Sequence, residues 1–151
     1  MQIPSPARDQ RHEELRGLCG GAVFLPGDPG YDDARIPWNL RVDAHPAAVV
    51  YPAFPEEVSE VLRAAAQLGL RVAPQGTGHG ALSLDSDLRD AVLLRTSAMT
   101  ELTIDRERRS AWVGAGVRWG DVIRQAGAVG LAGLHMSSRD VGVVGSSLGG
   151  G

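Results

Sequence analysis

Three glycines in five positions, Gly76, Gly78 and Gly80, frame Thr77 and His79 immediately after the short apolar run Val72, Ala73, Pro74 and the polar Gln75. A strand that empties into such a stretch exposes its own backbone. Glycine reaches positive φ without penalty and has no Cβ to hold a ligand away from the main chain. Successive N–H groups in such a loop can curl into a concave nest that binds phosphate oxygens. His79 is the one titratable side chain in it. Beside a phosphorylated ligand it would be a base, a hydrogen-bond donor or a point of attachment.

The same loop has a plain structural reading, because glycine-rich turns follow many strands that bind nothing. It is not a dinucleotide fingerprint of the G-x-G-x-x-G type, and no Gly-Lys-Ser/Thr follows it as in a Walker loop. A second glycine-rich stretch favours the ligand reading. Ser137, Ser138 and Asp140 lead into Val141, Gly142, Gly145, Ser146, Ser147 and Gly149 to Gly151. There the serines are expected to cap a helix or donate to a phosphate.

The elements that must position these loops follow from periodicity. Leu15 and Leu18 lie three apart before Gly20 and Gly21, which predicts a short helix from His12 to Cys19. Residues 23–39 carry three prolines and no period, and are expected to form an ordered, irregular arm packing Tyr31 and Trp38 on the main body. Residues 47–52 predict a strand. Pro55, Glu56 and Glu57 then open a helix marked by Val58, Val61, Leu62, Ala65 and Leu68. With the strand at 71–74 this makes a βαβ unit, whose strands should be parallel and joined right-handedly. Further strands are expected at 91–95, 101–105 and 110–114, the last two as a hairpin. Trp119, Val122, Ile123 and Ala126 predict a second amphipathic helix.

Composition narrows the function classes. A chain of 151 residues, 43% apolar and 22% charged, is globular in character and large enough for a core. Glycine, at 20 residues, is about twice its usual share and has no collagen-like period. A net charge of −3 and no basic cluster denser than Arg106, Arg108 and Arg109 argue against a nucleic-acid partner. The single Cys19 excludes an internal disulfide framework and reads as a small buried hydrophobe. Residues 1–14 contain no apolar signal core and no run approaches a membrane span, so a cytoplasmic protein is expected. His12, His45 and His135 show no ligand spacing and no metal is expected. Asp85 and Asp87 read as a polar turn.

Taken together, GTGHG at 76–80, a hairpin leading into GAGVRWGDV at 114–122, and SSRDVGVVGSSLGGG at 137–151 resemble the FAD-binding domain of the berberine bridge enzyme-like oxidoreductases. These share the fold of vanillyl-alcohol oxidase and p-cresol methylhydroxylase (PCMH). PGDPGYDDARIPWN at 26–39 is similar to the family's N-terminal arm. The resemblance implies an α+β, PCMH-type FAD-binding domain with a βαβ unit and a mixed sheet, incomplete at its C-terminus. Residues 1–19 would be an extension, 20–46 the arm and 47–151 the flavin domain.

The resemblance further implies cofactor contacts at Gln75, Gly76, Thr77, Gly78, His79, Gly80, Ser138, Val141, Gly142 and Gly145. His79 matches the family's covalent link to the flavin ring methyl. Ser138 stands where doubly linked members carry cysteine, which leaves His79 as the sole link. Val141 matches a position beside the flavin associated with access for dioxygen. Thr77 departs from a common glycine, and Ser147 from a bulkier residue. An FAD-dependent oxidase acting on an alcohol, sugar or related small molecule is implied, with dioxygen as acceptor. Its substrate domain and catalytic base are expected beyond Gly151 or on a partner chain, so that residues 1–151 alone are expected to be inactive. Two alternatives stay open: a catalytically silent fragment, and a noncovalent FAD reductase of the same fold.

Overall fold

The computed structural model describes residues 10–83 and 87–150. Its centre is a four-stranded mixed sheet built from β1 (Val23–Phe24), β2 (Ala48–Val50), β3 (Arg71–Gln75) and β4 (Ala91–Arg95), in the spatial order β1-β2-β4-β3. β1 runs antiparallel to β2, while β2 and β3 both run parallel to β4. The expected βαβ unit is therefore present in sequence, but its two strands are not neighbours. β4, whose first four residues are buried, takes the central place between them.

The sheet buries both faces, as its apolar runs require. Ala48, Val50, Val92 and Leu94 point to one side and pack with Leu15, Leu25, Val61 and Ala65. Val49, Ala91 and Leu93 point to the other and meet Tyr31, Ala34 and Ala44. This is the two-residue alternation of strands. Each of the valine and leucine side chains, fully buried, contributes roughly 1.5–3 kcal/mol.

Helix α1 (Tyr31–Arg35) lies within the arm and α2 (Pro55–Gln67) covers the first face. Pro55 sits at the start of α2 where its missing N–H costs nothing, and Glu57 reaches back to accept the N–H of Ala53 at 2.6 Å. Val61 and Ala65, one turn apart, are its fully buried positions. Gly69, at φ +69°, ends it. The hairpin β5 (Leu102–Asp105) and β6 (Ser110–Val113) forms a separate sheet, followed by α3 (Trp119–Ala128) and α4 (Val143–Leu148). Val117, Val122 and Val143 make a third small core there.

Three expectations need correction. The short helix expected at 12–19 is present but is of the 3₁₀ type, Gln10–Gly17, and breaks before Cys19, where a separate 3₁₀ turn, Cys19–Gly21, follows. Only Leu15 and Cys19 of that segment are core residues, so no full apolar stripe is available to hold an α-helix. Ser146 and Ser147 lie inside α4 rather than at its start, where Gly142 stands. Tyr31 is buried as expected, while Trp38 packs on the body through one face only, against His79, and keeps 62% of its surface exposed. Asp85 lies outside the described residues, and Asp87 pairs with Arg89. No helix among the described residues is long and apolar enough to cross a membrane.

The arm is clasped to the sheet by phenols. Tyr31 donates its hydroxyl to the Pro46 carbonyl at 2.6 Å, and Tyr51 donates to Ala34 O at 3.1 Å. Burial pushes the Tyr31 hydroxyl up to about 12 from its ordinary 10. The folded state thus favours the neutral phenol. Its contribution to stability is complete below the ordinary value and is lost as pH rises toward 12. Urea unfolding at a series of pH values should show the midpoint falling across that window, and Tyr31→Phe should flatten the fall.

Candidate flavin site

Strands β3 and β4 are parallel and in register, Gln75 opposite Arg95, so their carboxyl ends finish side by side. Ligand sites in open α/β sheets lie beyond such ends. There the chain leaves β3 into the loop 76–80 and leaves β4 into a 3₁₀ turn at Thr96–Ala98. A cleft of about 730 Å³ opens between them, lined among others by Trp38, Gly76, Thr77, Arg95, Gly116 and Arg118.

Close backbone approach shapes the cleft. A Cβ on Gly116 would overlap the carbonyl oxygen of Thr96, and one on Gly114 that of Met99. Glycine at both positions lets the strand leaving the hairpin lie directly on the turn after β4. Gly116 N–H donates to Met99 O at 2.9 Å, and Thr96 Oγ1 donates to Ala115 O at 2.9 Å. On the loop side, Gly78 adopts φ +82°, and a Cβ there would stand 2.6 Å from Pro37 Cβ. The arm is tied at the same point, since Trp38 N–H donates to Thr77 O at 3.0 Å.

The C-terminal glycine stretch joins the site through paired backbone. Trp119 N–H donates to Val141 O at 3.0 Å, Gly120 N–H to Arg139 O at 2.9 Å, and Val143 N–H to Val117 O at 2.9 Å. This places buried Gly142 against Thr77, with the position of its missing Cβ 3.8 Å from Thr77 Cγ2. Ser146, inside α4, accepts the indole N–H of Trp119 at 2.9 Å and lies within hydrogen-bond distance of Gly142 O. The two glycine-rich loops, some sixty residues apart in sequence, thus meet.

His79 is held on two sides. Its ring stacks on Trp38 with centroids 4.1 Å apart and planes 12° from parallel, and its Nδ1 lies 2.8 Å from Thr77 Oγ1. Whichever of those atoms carries the shared proton, Nε2 is buried and has no partner among the described residues. Among the described residues no acceptor is found for the N–H groups of Gly76, Thr77, Gly78 or His79. Of these residues Gly76 and Thr77 line the cleft and His79 stands behind them against Trp38, so the donors nearest the cleft are the first two N–H groups of the loop.

The other expected contacts divide. Gln75 is buried, its side-chain carbonyl accepting from Arg95 at 2.7 Å; Gly76 and Thr77 line the cleft, and Gly142 lies behind Thr77. Gly80 is solvent-exposed at the far end of the loop. Val141 is held by its backbone bond to Trp119, and Ser138 accepts the Asp140 N–H at 3.3 Å. Gly145 is exposed within α4. Sequence reasoning missed Arg95 and Arg118. Arg95 closes an apolar strand and reads there as a strand end. Only the strand order makes it the neighbour of Gln75.

These features agree with the comparisons with known proteins. Residues 46–151 match the family described as FAD binding domain. The FAD-linked oxidoreductase hasG of Aspergillus fumigatus is 31% identical over 147 residues, covering 96% of this chain and 31% of its own. The (R)-6-hydroxynicotine oxidase of Paenarthrobacter nicotinovorans is 28% identical over 131 residues, 87% of this chain and 28% of its own.

Among solved structures, 6-hydroxy-D-nicotine oxidase from Arthrobacter nicotinovorans superimposes with a TM-score of 0.71 at 25% identity, over 80% of this chain and 26% of that one. A Physcomitrella patens BBE-like 1 variant gives 0.72 at 27% identity, over 83% and 28%. The chain belongs to the FAD binding domain family, with the α+β, PCMH-type fold of the berberine bridge enzyme-like oxidoreductases. It spans about a third of the length of the relatives it matches.

Gly78→Ala should cost about 1–3 kcal/mol, through strained φ and overlap with Pro37. Gly80→Ala meets nothing within 4 Å and has no positive φ, so it should leave stability nearly unchanged. Urea titrations of the two variants check the contrast. A loss equal in both would show that general loop flexibility, not the Gly78 contact, matters.

Proposed function

We propose that this chain supplies the cofactor-holding part of an FAD-dependent oxidase that takes a hydride from an alcohol, sugar or related small molecule and passes electrons to dioxygen. The orphaned, buried Nε2 of His79 beside four free loop N–H groups carries the reading. The oxidase named among the relatives supports the choice of reaction. Residues 47–151 would be the flavin-binding unit and residues 20–46 an arm that closes over it.

Within that unit, Gly76, Thr77, Gly78 and His79 would hold the diphosphate through their N–H groups, with Gly80 giving the loop room. Gln75 would brace the loop from below. Val141, Gly142 and Gly145 would border the ring on the opposite side, with Ser138 too weak a nucleophile to form a second link. When bound, FAD supplies the two-electron redox chemistry; the protein's own task is to fix and orient it.

His79 would be the point of covalent attachment. Thr77 engages Nδ1, so Nε2 is the nitrogen left to bond the ring methyl carbon in place of one of its C–H bonds; two protons would be released and the two electrons would pass to FAD itself and on to dioxygen. Trp38 stacked on the imidazole would fix the ring plane in the direction of that bond.

The flavin-loaded protein, precipitated with acid, should give a yellow pellet. His79→Ala should give a colourless pellet and a yellow supernatant, with noncovalent binding retained by the loop donors. A yellow pellet from the variant would reject His79 as the link, and a colourless pellet from the unaltered protein would favour noncovalent use of the same site.

A further inference from the structure

Arg95 is the last residue of β4, and the four residues before it are buried. Its guanidinium is held in place by neutral acceptors. Nη1 donates to Gln75 Oε1 at 2.7 Å and to Ile36 O at 3.1 Å, while Nε is buried with no partner. Among the described residues no carboxylate pairs with it. Arg16, Arg35, Arg71, Arg89, Arg108 and Arg124 each meet an aspartate or glutamate, and the other described arginines without an ion pair are solvent-exposed, whereas Arg95 is not. A half-buried cation bonded only to neutral groups is costly unless something brings it an anion.

We propose that Arg95 is an anion receptor that binds a diphosphate oxygen in this cleft, an assignment that rests on the flavin reading above. Three observations support it. Arg95 lines the cleft together with Gly76 and Thr77, the first two residues of the donor loop. Its hydrogen bond to Gln75 fixes the guanidinium at the foot of that loop. Burial also disfavours its charged form, so an oxyanion would be held more strongly than at a surface arginine.

The remaining charges of the lining point the same way. Arg118 also lines the cleft without an ion pair, whereas Asp121 is neutralised by Arg124 at 2.6 Å. Asp140 is then the one unpaired carboxylate of the lining, against two cations. The ligand is identified by the count of donors. A carboxylate has two oxygens to offer, fewer than the loop N–H groups and guanidinium together present. A diphosphate, with free oxygens on two phosphorus atoms, can engage both sets.

The test uses His79→Ala protein, which keeps flavin exchangeable, with and without Arg95→Met or Arg95→Lys. Affinities for FAD, ADP and riboflavin are read by fluorescence titration. Arg95→Met should weaken FAD and ADP by roughly tenfold or more. Riboflavin, which has no phosphate, should change less than about twofold. Arg95→Lys should recover part of the loss, and the salt dependence of ADP binding should be shallower in Arg95→Met than with Arg95 intact.

Equal weakening of FAD and riboflavin would overturn the assignment and leave Arg95 as a strut between β3 and the arm. Unchanged FAD affinity would also overturn it. If Arg95→Met does not fold, competition decides with Arg95 intact and in Arg95→Lys. Pyrophosphate should displace FAD in both, less effectively in the lysine variant, and acetate in neither. Displacement by acetate would assign the arginine to a carboxylate instead. Failure of FAD and ADP to bind when Arg95 is intact would reject the flavin reading itself.

Discussion

The parallel pairing of Arg71–Gln75 with Ala91–Arg95 is the constraint on which the cleft depends. It is a five-residue ladder in strict register, from Arg71 opposite Ala91 to Gln75 opposite Arg95. A slip of one residue would turn Val92 and Leu94 away from Val61 and Ala65, and no such slip is tolerated where both faces are buried. Because register is fixed by the core, the ends of the two strands are fixed as well. The glycine loop and the Thr96 turn start from adjacent points whatever their own flexibility. Hydrophobic packing on two faces of a sheet thereby sets the position of polar atoms that make no contribution to it.

Glycine serves two distinct purposes around that point. At Gly114 and Gly116 it permits backbone to lie on backbone, since a methyl group would occupy the space of the Met99 and Thr96 carbonyl oxygens. At Gly78 it permits a left-handed turn pressed against Pro37. Neither purpose is ligand contact, yet both are needed to bring Thr77, Arg95 and Arg118 to one cleft. Gly80 and Gly145 have open space at the Cβ position, and there the absence of a side chain leaves room rather than allowing packing.

Much of this was legible in the sequence, for identifiable reasons. The α2 helix and the three strands from 91 to 113 announce themselves through periodicity and flanking turn residues, all of which are local. The glycine loops were visible as composition, and their order suggested the family. The sequence could not show that β4 inserts between β2 and β3, because strand order is decided by long-range burial rather than by neighbouring residues. For the same reason Arg95 went unread: its meaning lies in the identity of Gln75 across the sheet. The two leucines at helical spacing marked a helix at 12–19 but not its type or its end, since so short an apolar pattern holds only a 3₁₀ helix, Gln10–Gly17, against the body.

The distribution of unsatisfied groups completes the physical picture. An unpaired buried donor or acceptor costs about 1–3 kcal/mol, so folded chains leave few of them. Among the described residues the buried side-chain atoms without a partner are His79 Nε2 and Arg95 Nε. Arg95 lines the cleft, and His79 adjoins it through Thr77 and Trp38. The loop N–H groups without acceptors are there too. Random imperfections of packing would scatter through the two cores, which contain none of these atoms. Concentrated at the carboxyl ends of two parallel strands, they make the free protein less stable there than it could be. They also make any ligand that satisfies several of them at once bind with the energy the fold has left unused.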